Sequence, residues 1–230
     1  MRFVFLHGSG CTGDVFAAQL AAFQNALAPT LPGHADGREG PDTVAAFADA
    51  VDAELREREI AEVVVCGNSL GGAIALELAL RNVAAVRAVV LIGSGVRLRV
   101  APAIFERLES DFPAAARELA AMFFARPSPE LVDASVATML RVGQTQTTRD
   151  FRACDAFDAS ERIADLRVPL LALTGDRDVL TPPKFAQWFA DRVPGAQARI
   201  LADAGHFAMI ERPEETNAAL RAFEERLLPR

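Results

Sequence analysis

The chain has 230 residues, of which 51% are hydrophobic, and its 31 acidic residues outnumber 24 basic ones to give a net charge of −7. This composition supports a large buried core and excludes wholesale disorder, and a negative chain without a Lys/Arg cluster is a poor partner for DNA or RNA. No apolar run reaches the ~20 residues that span a bilayer, and the first eight residues are more typical of a strand than of a secretion signal, so we expect a cytoplasmic protein outside the membrane.

Short apolar runs predict a mostly parallel sheet of about six strands, with helices on both faces. The runs VVVC, AVVLI and PLLALT lack alternating polar residues, which is typical of strands buried on both faces. The predicted strands are Arg2–Leu6, a weaker Asn25–Ala28, Glu62–Cys66, Ala88–Ile92, Pro169–Thr174 and Ala198–Leu201. Helical spacing predicts helices at Val15–Phe23, Thr43–Arg58, Leu70–Arg81, Pro183–Asp191 and Glu214–Leu227.

The strand signals stop between residues 94 and 167, where segments such as Pro113–Phe124 and Glu130–Leu140 have helical spacing. We interpret residues 94–167 as a helical cap inserted after the fourth strand of an α/β core that comprises residues 1–93 and 168–230. Such an insertion lies over the carboxyl ends of the strands, where open α/β sheets bind ligands. Its large apolar side chains are candidates for lining a pocket, although core packing is the commoner role of each: Phe105, Phe112, Met122, Phe123, Phe124, Met139, Phe151 and Phe157.

The segment Gly67-Asn68-Ser69-Leu70-Gly71-Gly72 follows an apolar strand and precedes a helix. This is the G-x-S-x-G pattern in the strand–turn–helix context that a nucleophilic serine requires. The flanking glycines leave room for the neighbouring strand and helix, and the sharp turn holds the hydroxyl clear of the sheet edge. Ser69 is therefore the predicted nucleophile.

A serine hydroxyl needs a base to take its proton, and the chain has only three histidines. His7 lies at the end of the first strand and His34 lies in a loop, whereas His206 follows the last strand and is the predicted base. The carboxylate that orients it is expected in the turn after the PLLALT strand, where Asp176 and Asp178 are both candidates.

The developing oxyanion needs hydrogen-bond donors, which are typically backbone N–H groups. One is expected at Leu70, at the start of the helix. The other is expected in the turn His7-Gly8-Ser9-Gly10, at Ser9 or, failing that, at Gly10. His7 is expected to brace this turn by hydrogen bonding.

The motifs HGSG, LPGH, GNSLGG, GDRDVLTP and AGHFAMIERPEETNAALRAF occur in this order over nearly the whole chain. The chain thus resembles the α/β-hydrolase superfamily, in its branch of small bacterial esterases, lactonases and C–C hydrolases. The resemblance implies that the acid is the last residue of G-x-x-D, which is Asp178. It also implies a small sheet, because many relatives carry one or two further strands before the HG turn.

The resemblance implies a serine hydrolase that cleaves a small or medium, mostly apolar carboxylic ester, thioester or lactone through an acyl-enzyme on Ser69. Two alternatives stay open. The first is a C–C bond hydrolase or non-hydrolytic lyase, because the motif GNSLGG with Asn68 is similar to that of some C–C hydrolases. The second is a binding protein without turnover. The residues expected to contact the small-molecule substrate are Asn68, Met122, Phe123 and Phe157. No metal or cofactor is expected, because no cluster of ligands has suitable spacing, and no feature of the sequence predicts an oligomeric state.

Overall fold

The computed structural model of the chain describes residues 1–35 and 37–227. Within them, five parallel strands form one sheet and lie side by side in chain order. The strands are β1 Arg2–Leu6, β2 Val63–Asn68, β3 Val86–Ile92, β4 Leu170–Gly175 and β5 Gln197–Leu201. The predicted parallel α/β fold is confirmed. Residues 36 and 228–230 of the predicted core lie outside the described residues.

The predicted strand Asn25–Ala28 is wrong as a full strand, so the sheet has five strands in the described part of the chain and not six. Only Leu27 pairs with β1, through its N–H to the Phe3 carbonyl (3.0 Å) and its carbonyl to the Phe5 N–H (2.7 Å). Asn25 has a φ of 62°, outside the extended region, and Pro29 has no N–H to donate. The pairing therefore stops after one residue.

The helices lie close to their predicted positions. Outside the insertion they are α1 Ala17–Ala22, α2 Val44–Glu57, α3 Leu70–Leu80, α8 Lys184–Arg192, α9 Ala208–Glu211 and α10 Pro213–Glu225. The hydroxyl of Thr43 caps α2 by accepting the Ala46 N–H at 3.1 Å. No helix in the described ranges combines the length and apolar character that a membrane-spanning segment requires.

The sheet is buried on both faces from β1 to β4, because successive side chains of these strands enter opposite apolar clusters. Val4 and Leu6 of β1 pack into the cluster formed with α2, α3 and α8. Phe3 and Phe5 pack into the cluster formed with α9 and α10. This burial explains why the strands are apolar without polar alternation. Because all five strands are parallel, their carboxyl ends lie at one edge of the sheet.

Between β3 and β4 the chain forms four helices: α4 Pro102–Ser110, α5 Phe112–Met122, α6 Pro129–Val142 and α7 Gln144–Ala156. The insertion follows the third strand and not the fourth, because residues 25–28 do not form a strand. Its buried side chains join the two clusters of the sheet: Leu119 belongs to the cluster that contains Phe3 and Phe5, and Ala153 belongs to the cluster that contains Val4 and Leu6. The division into a core and a cap domain stays a prediction.

Candidate active site

Ser69 lies at the junction of β2 and α3 with a φ of 52° and a ψ of −113°, a conformation that is strained for a residue with a side chain. Close packing enforces this turn, because a Cβ on Gly71 would lie 2.0 Å from the Leu6 carbonyl oxygen. The Ser69 N–H donates to the Ile92 carbonyl at 3.0 Å, and the Ser94 hydroxyl donates to the Ser69 carbonyl at 2.8 Å. The backbone thus holds the half-buried Ser69 side chain at the end of β2.

Asp178 and His206 form a buried pair, with His206 Nδ1 2.9 Å from Asp178 Oδ2. The other carboxylate oxygen accepts the N–H groups of Leu180 (2.9 Å) and Thr181 (2.8 Å), and the Thr181 hydroxyl donates to Oδ2 at 2.7 Å. Burial alone would raise the pKa of Asp178, but the charge and hydrogen bond of His206 and the hydrogen bonds from Thr181 outweigh it and lower the pKa. Asp178 is therefore a carboxylate at neutral pH, and it fixes the Nδ1 side of the imidazole.

The carboxyl ends of β4 and β5 bring Asp178 and His206 to the same sheet edge as Ser69, which follows β2. The Asn68 side-chain amide donates to the carbonyls of Ile92 and His206, both at 3.1 Å, and so ties the histidine loop to the residue before Ser69. A Cβ on Gly93, which follows β3, would lie 3.0 Å from His206 Nδ1, so the imidazole ring occupies the space that this glycine leaves free. Among the described residues, no direct hydrogen bond joins the Ser69 hydroxyl to His206. Such bonds are often long before substrate binds.

The turn after β1 passes directly over Ser69, because a Cβ on Gly8 would lie 3.3 Å from the Ser69 Cβ. The buried His7 braces this turn as expected: its Nε2 accepts the Leu31 N–H at 2.9 Å, which leaves Nδ1 to donate to the Gly8 carbonyl. Burial, and then the charge of His34, lower the pKa of His7 to about 3, so it stays neutral.

The backbone N–H of Gly10 is already bound, because it donates to Asp150 Oδ2 at 2.9 Å. Within residues 1–35 and 37–227, the N–H groups of Ser9 and Leu70 have no such partner. This leaves Ser9 and Leu70 as the two candidate donors for an oxyanion and removes the Gly10 alternative.

Ser69 opens into a small cavity of about 70 Å³. Apart from Ser69, its walls come from the segment after β3, from α4 and α7, from the loop after β4 and from the start of α8: Leu98, Arg99, Val100, Ile104, Phe151, Cys154, Leu180, Thr181 and Phe185. The wall is therefore mostly apolar, with Arg99 as its one charged member among the described residues.

Residues 3–219 match the alpha/beta hydrolase family. The chain belongs to this family. It is 31% identical to a pimeloyl-[acyl-carrier protein] methyl ester esterase of Stenotrophomonas maltophilia, over 98% of this chain and 93% of that protein. A solved thermophilic esterase is also 31% identical, with a TM-score of 0.89 over 98% of this chain and 90% of its own. A solved N-acyl homoserine lactone degrading enzyme is 27% identical, with a TM-score of 0.84 over 97% and 93% of the two chains.

These likenesses confirm the predicted family resemblance and the prediction of an ester-cleaving hydrolase. They also agree with a small-molecule substrate. The roles of individual residues depend on the geometry alone.

The four predicted substrate contacts of this hydrolase lie outside the wall of the Ser69 cavity. Both N–H groups of the Asn68 amide are bound to backbone carbonyls, and Phe123 stacks on Phe207 with the ring centroids 4.3 Å apart. Phe157 is buried in the core cluster, and Met122 is 38% exposed. Of the other candidates in the insertion, Phe151 does line the cavity. Leu180 and Phe185 also line it, and both follow Asp178 closely in the sequence, which is the signal that could have found them.

The three cysteines of this hydrolase, Cys11, Cys66 and Cys154, are buried free thiols. Burial, and secondarily the Asp150 charge, raise the pKa of Cys11 to about 12, so the thiol stays protonated and unreactive. No three His, Cys, Asp or Glu side chains lie together as a metal site in the described ranges.

Proposed function

We propose that this hydrolase cleaves carboxylic esters through an acyl-enzyme on Ser69, with His206 as the base and Asp178 as the acid that orients it. One observation carries this proposal: the buried Asp178–His206 pair, bonded at 2.9 Å, lies at the same strand ends as a serine in a strained strand-to-helix turn. Strain at a serine, beside a carboxylate–imidazole pair and two unbonded backbone N–H groups, is the arrangement that acyl transfer needs.

The reaction follows from the tautomer of His206. Its Nδ1–H donates to Asp178, so the lone pair of Nε2 is free to accept the Ser69 proton as the hydroxyl oxygen attacks the ester carbonyl. The N–H groups of Ser9 and Leu70 stabilise the resulting oxyanion. Collapse of the tetrahedral intermediate breaks the ester C–O bond, and His206 gives its proton to the leaving alcohol. Water, deprotonated by His206, then releases the acid and restores Ser69.

The substrate has a small apolar group on one side of its ester bond. A cavity of about 70 Å³ has the volume of roughly two or three water molecules, so we expect it to admit a group such as methyl or acetyl. Ile104 of α4 and Phe151 of α7 line this cavity, so we expect groups longer than it can hold to react more slowly. The Stenotrophomonas relative is named for a methyl ester, which makes methyl esters the first substrates to test. Thioesters and lactones of similar size share the same chemistry, and the proposed site of action is the cytoplasm.

A fluorophosphonate probe and a series of p-nitrophenyl and methyl esters of increasing chain length test this function. We expect covalent labelling of Ser69 and turnover that falls as the chain grows. Ser69→Ala should abolish both. The matched control is Ser110→Ala, an exposed serine at the end of α4, which should leave both unchanged.

Each alternative has its own result in this experiment. A folded parent that neither reacts with the probe nor turns over any ester contradicts hydrolysis and favours a binding protein. Turnover of a vinylogous diketone without turnover of any ester favours the C–C hydrolase.

A further inference from the structure

Helix α7 buries a carboxylate, Asp150, that plays no part in the proposed acyl transfer. It is fully buried, and all its polar contacts come from donors. Asp150 Oδ2 accepts the N–H of Gly10 (2.9 Å) and Nε2–H of His34 (2.8 Å), and Oδ1 accepts the side-chain amide of Gln146 at 2.9 Å. A carboxylate without solvent is stable only with such partners. The site is therefore built around a negative charge.

His34 supplies the matching positive charge. Its Nδ1 lies 3.1 Å from the Pro32 carbonyl and its Nε2 lies 2.8 Å from Asp150, so both ring nitrogens face oxygen acceptors and both carry protons. Burial would lower the pKa of His34, but the hydrogen bond and charge of Asp150 and the backbone carbonyls outweigh it and raise the pKa. The neighbouring His7 ring, 4.6 Å away between centroids, is neutral and adds no competing charge.

The ion pair holds the turn that carries the candidate oxyanion donor. Asp150 fixes the N–H of Gly10, the residue directly after Ser9. Gly10 has a φ of 65°, and a Cβ there would lie 3.0 Å from the Met139 side chain, so the insertion packs tightly on this turn. One helical turn beyond Asp150, the Cys154 thiol lies 3.7 Å from the Ser9 hydroxyl. Helix α7 therefore contacts two successive residues of the turn, Ser9 and Gly10.

We propose that Asp150 is a positioning residue: paired with His34, it holds the Ser9 N–H in place for the oxyanion only while α7 is docked on the core. The proposal rests on the ester hydrolysis proposed above. Phe151 and Cys154 of the same helix line the Ser69 cavity. A displacement of α7 that enlarges the cavity also releases the Gly10 N–H, so closure over the substrate and assembly of the oxyanion hole are one event.

Asp150→Asn tests the proposal, because it keeps the volume but turns one carboxylate oxygen into a donor that faces other donors. We expect kcat for p-nitrophenyl acetate to fall about 10- to 100-fold with KM changed less than threefold, since loss of one oxyanion donor costs about 10²–10³-fold. Affinity for a boronic acid that forms a tetrahedral adduct with Ser69 should fall in proportion to kcat. The matched control is Asp133→Asn, the same change at an exposed ion pair in α6, which should leave all these values at the parental level.

His34→Gln is the second variant, should Asp150→Asn fail to fold. Glutamine keeps a donor for Asp150 but removes the positive charge. We therefore expect kcat to fall less than in Asp150→Asn, again with little change in KM. The double variant should be no worse than Asp150→Asn alone, because both changes act through one pair.

Hydrogen exchange of the backbone amides of residues 8–11 gives a readout that does not depend on activity. Both variants should exchange faster there than the parent, while the amides of α3 stay protected. Parental kcat, boronic-acid affinity and exchange in a folded Asp150→Asn variant would overturn the proposal and leave ester hydrolysis standing. A parent without esterase activity would refute the proposed function, and the exchange data would still show whether Asp150 holds the turn.

Discussion

Replacing Asp178 by asparagine should reverse the tautomer of His206, the proposed base. The Oδ1 position of Asp178 accepts two backbone N–H groups, at 2.8 and 2.9 Å, so the oxygen of an asparagine must occupy that position. Its NH₂ group then faces His206 Nδ1, which in the parent donates to Oδ2 at 2.9 Å. An amide donor forces the histidine proton onto Nε2, where it blocks acceptance of the Ser69 proton. Wrong-tautomer variants of such triads lose about 10⁴-fold in kcat, or ~5 kcal/mol of transition-state stabilisation.

The assay for Asp178→Asn is steady-state hydrolysis of p-nitrophenyl acetate, with urea unfolding measured in parallel. Because the asparagine preserves both backbone hydrogen bonds, we expect the free energy of unfolding to change by only about 1 kcal/mol. Asp176→Asn is the matched control, since Asp176 is the other acid of the same turn and bonds only the Ala204 N–H at 3.3 Å. A folded Asp178→Asn variant that keeps more than a tenth of the parental kcat would refute this account of His206.

Three further results are expected. Gly71→Ala places a Cβ 2.0 Å from a backbone carbonyl of β1, so urea unfolding should show a loss of about 2 kcal/mol and ester turnover should fall sharply. Asn68→Ala removes the amide that holds the His206 loop, so kcat should fall without a rise in KM; a rise in KM alone would favour substrate contact by Asn68 instead. The raised pKa of His34 means that its pair with Asp150 stabilises the protein fully below the unfolded histidine pKa of about 6.5 and loses this effect as pH rises through the folded value. Chemical unfolding from pH 6 to pH 10 should show that slope in the parent and a flatter one in His34→Gln.

The sequence predicts most of the sheet because its strands have local apolar patterns, and the candidate catalytic residues are proposed from motifs that are equally local. The strand Val63–Asn68 starts with the apolar run VVVC, and Gly67 is required by a contact within the strand-to-helix turn, since a Cβ there would lie 2.0 Å from the Gly71 carbonyl oxygen. The weak strand at residues 25–28 fails because Pro29 and the left-handed Asn25 end the pairing. Pro29, which cannot donate a ladder hydrogen bond, was visible in the sequence.

The substrate cavity and the α7 ion pair could not be predicted in this way, because tertiary packing assembles them. Nothing in the sequence separates the roles of Phe123 and Phe151, yet Phe123 stacks on Phe207 and Phe151 lines the Ser69 cavity. Asp150 lies 116 residues from His34, and no spacing rule links a helix in the insertion to a loop near the first strand.

The single bridge at Leu27 also bears on the solubility of the protein. An outermost strand normally presents free backbone groups that can recruit a strand from another molecule. Leu27 occupies the Phe3 carbonyl and the Phe5 N–H on that side of β1, and Pro29 has no N–H with which to extend the ladder. The two bonds therefore leave fewer free backbone groups on this border of the sheet for edge-to-edge aggregation.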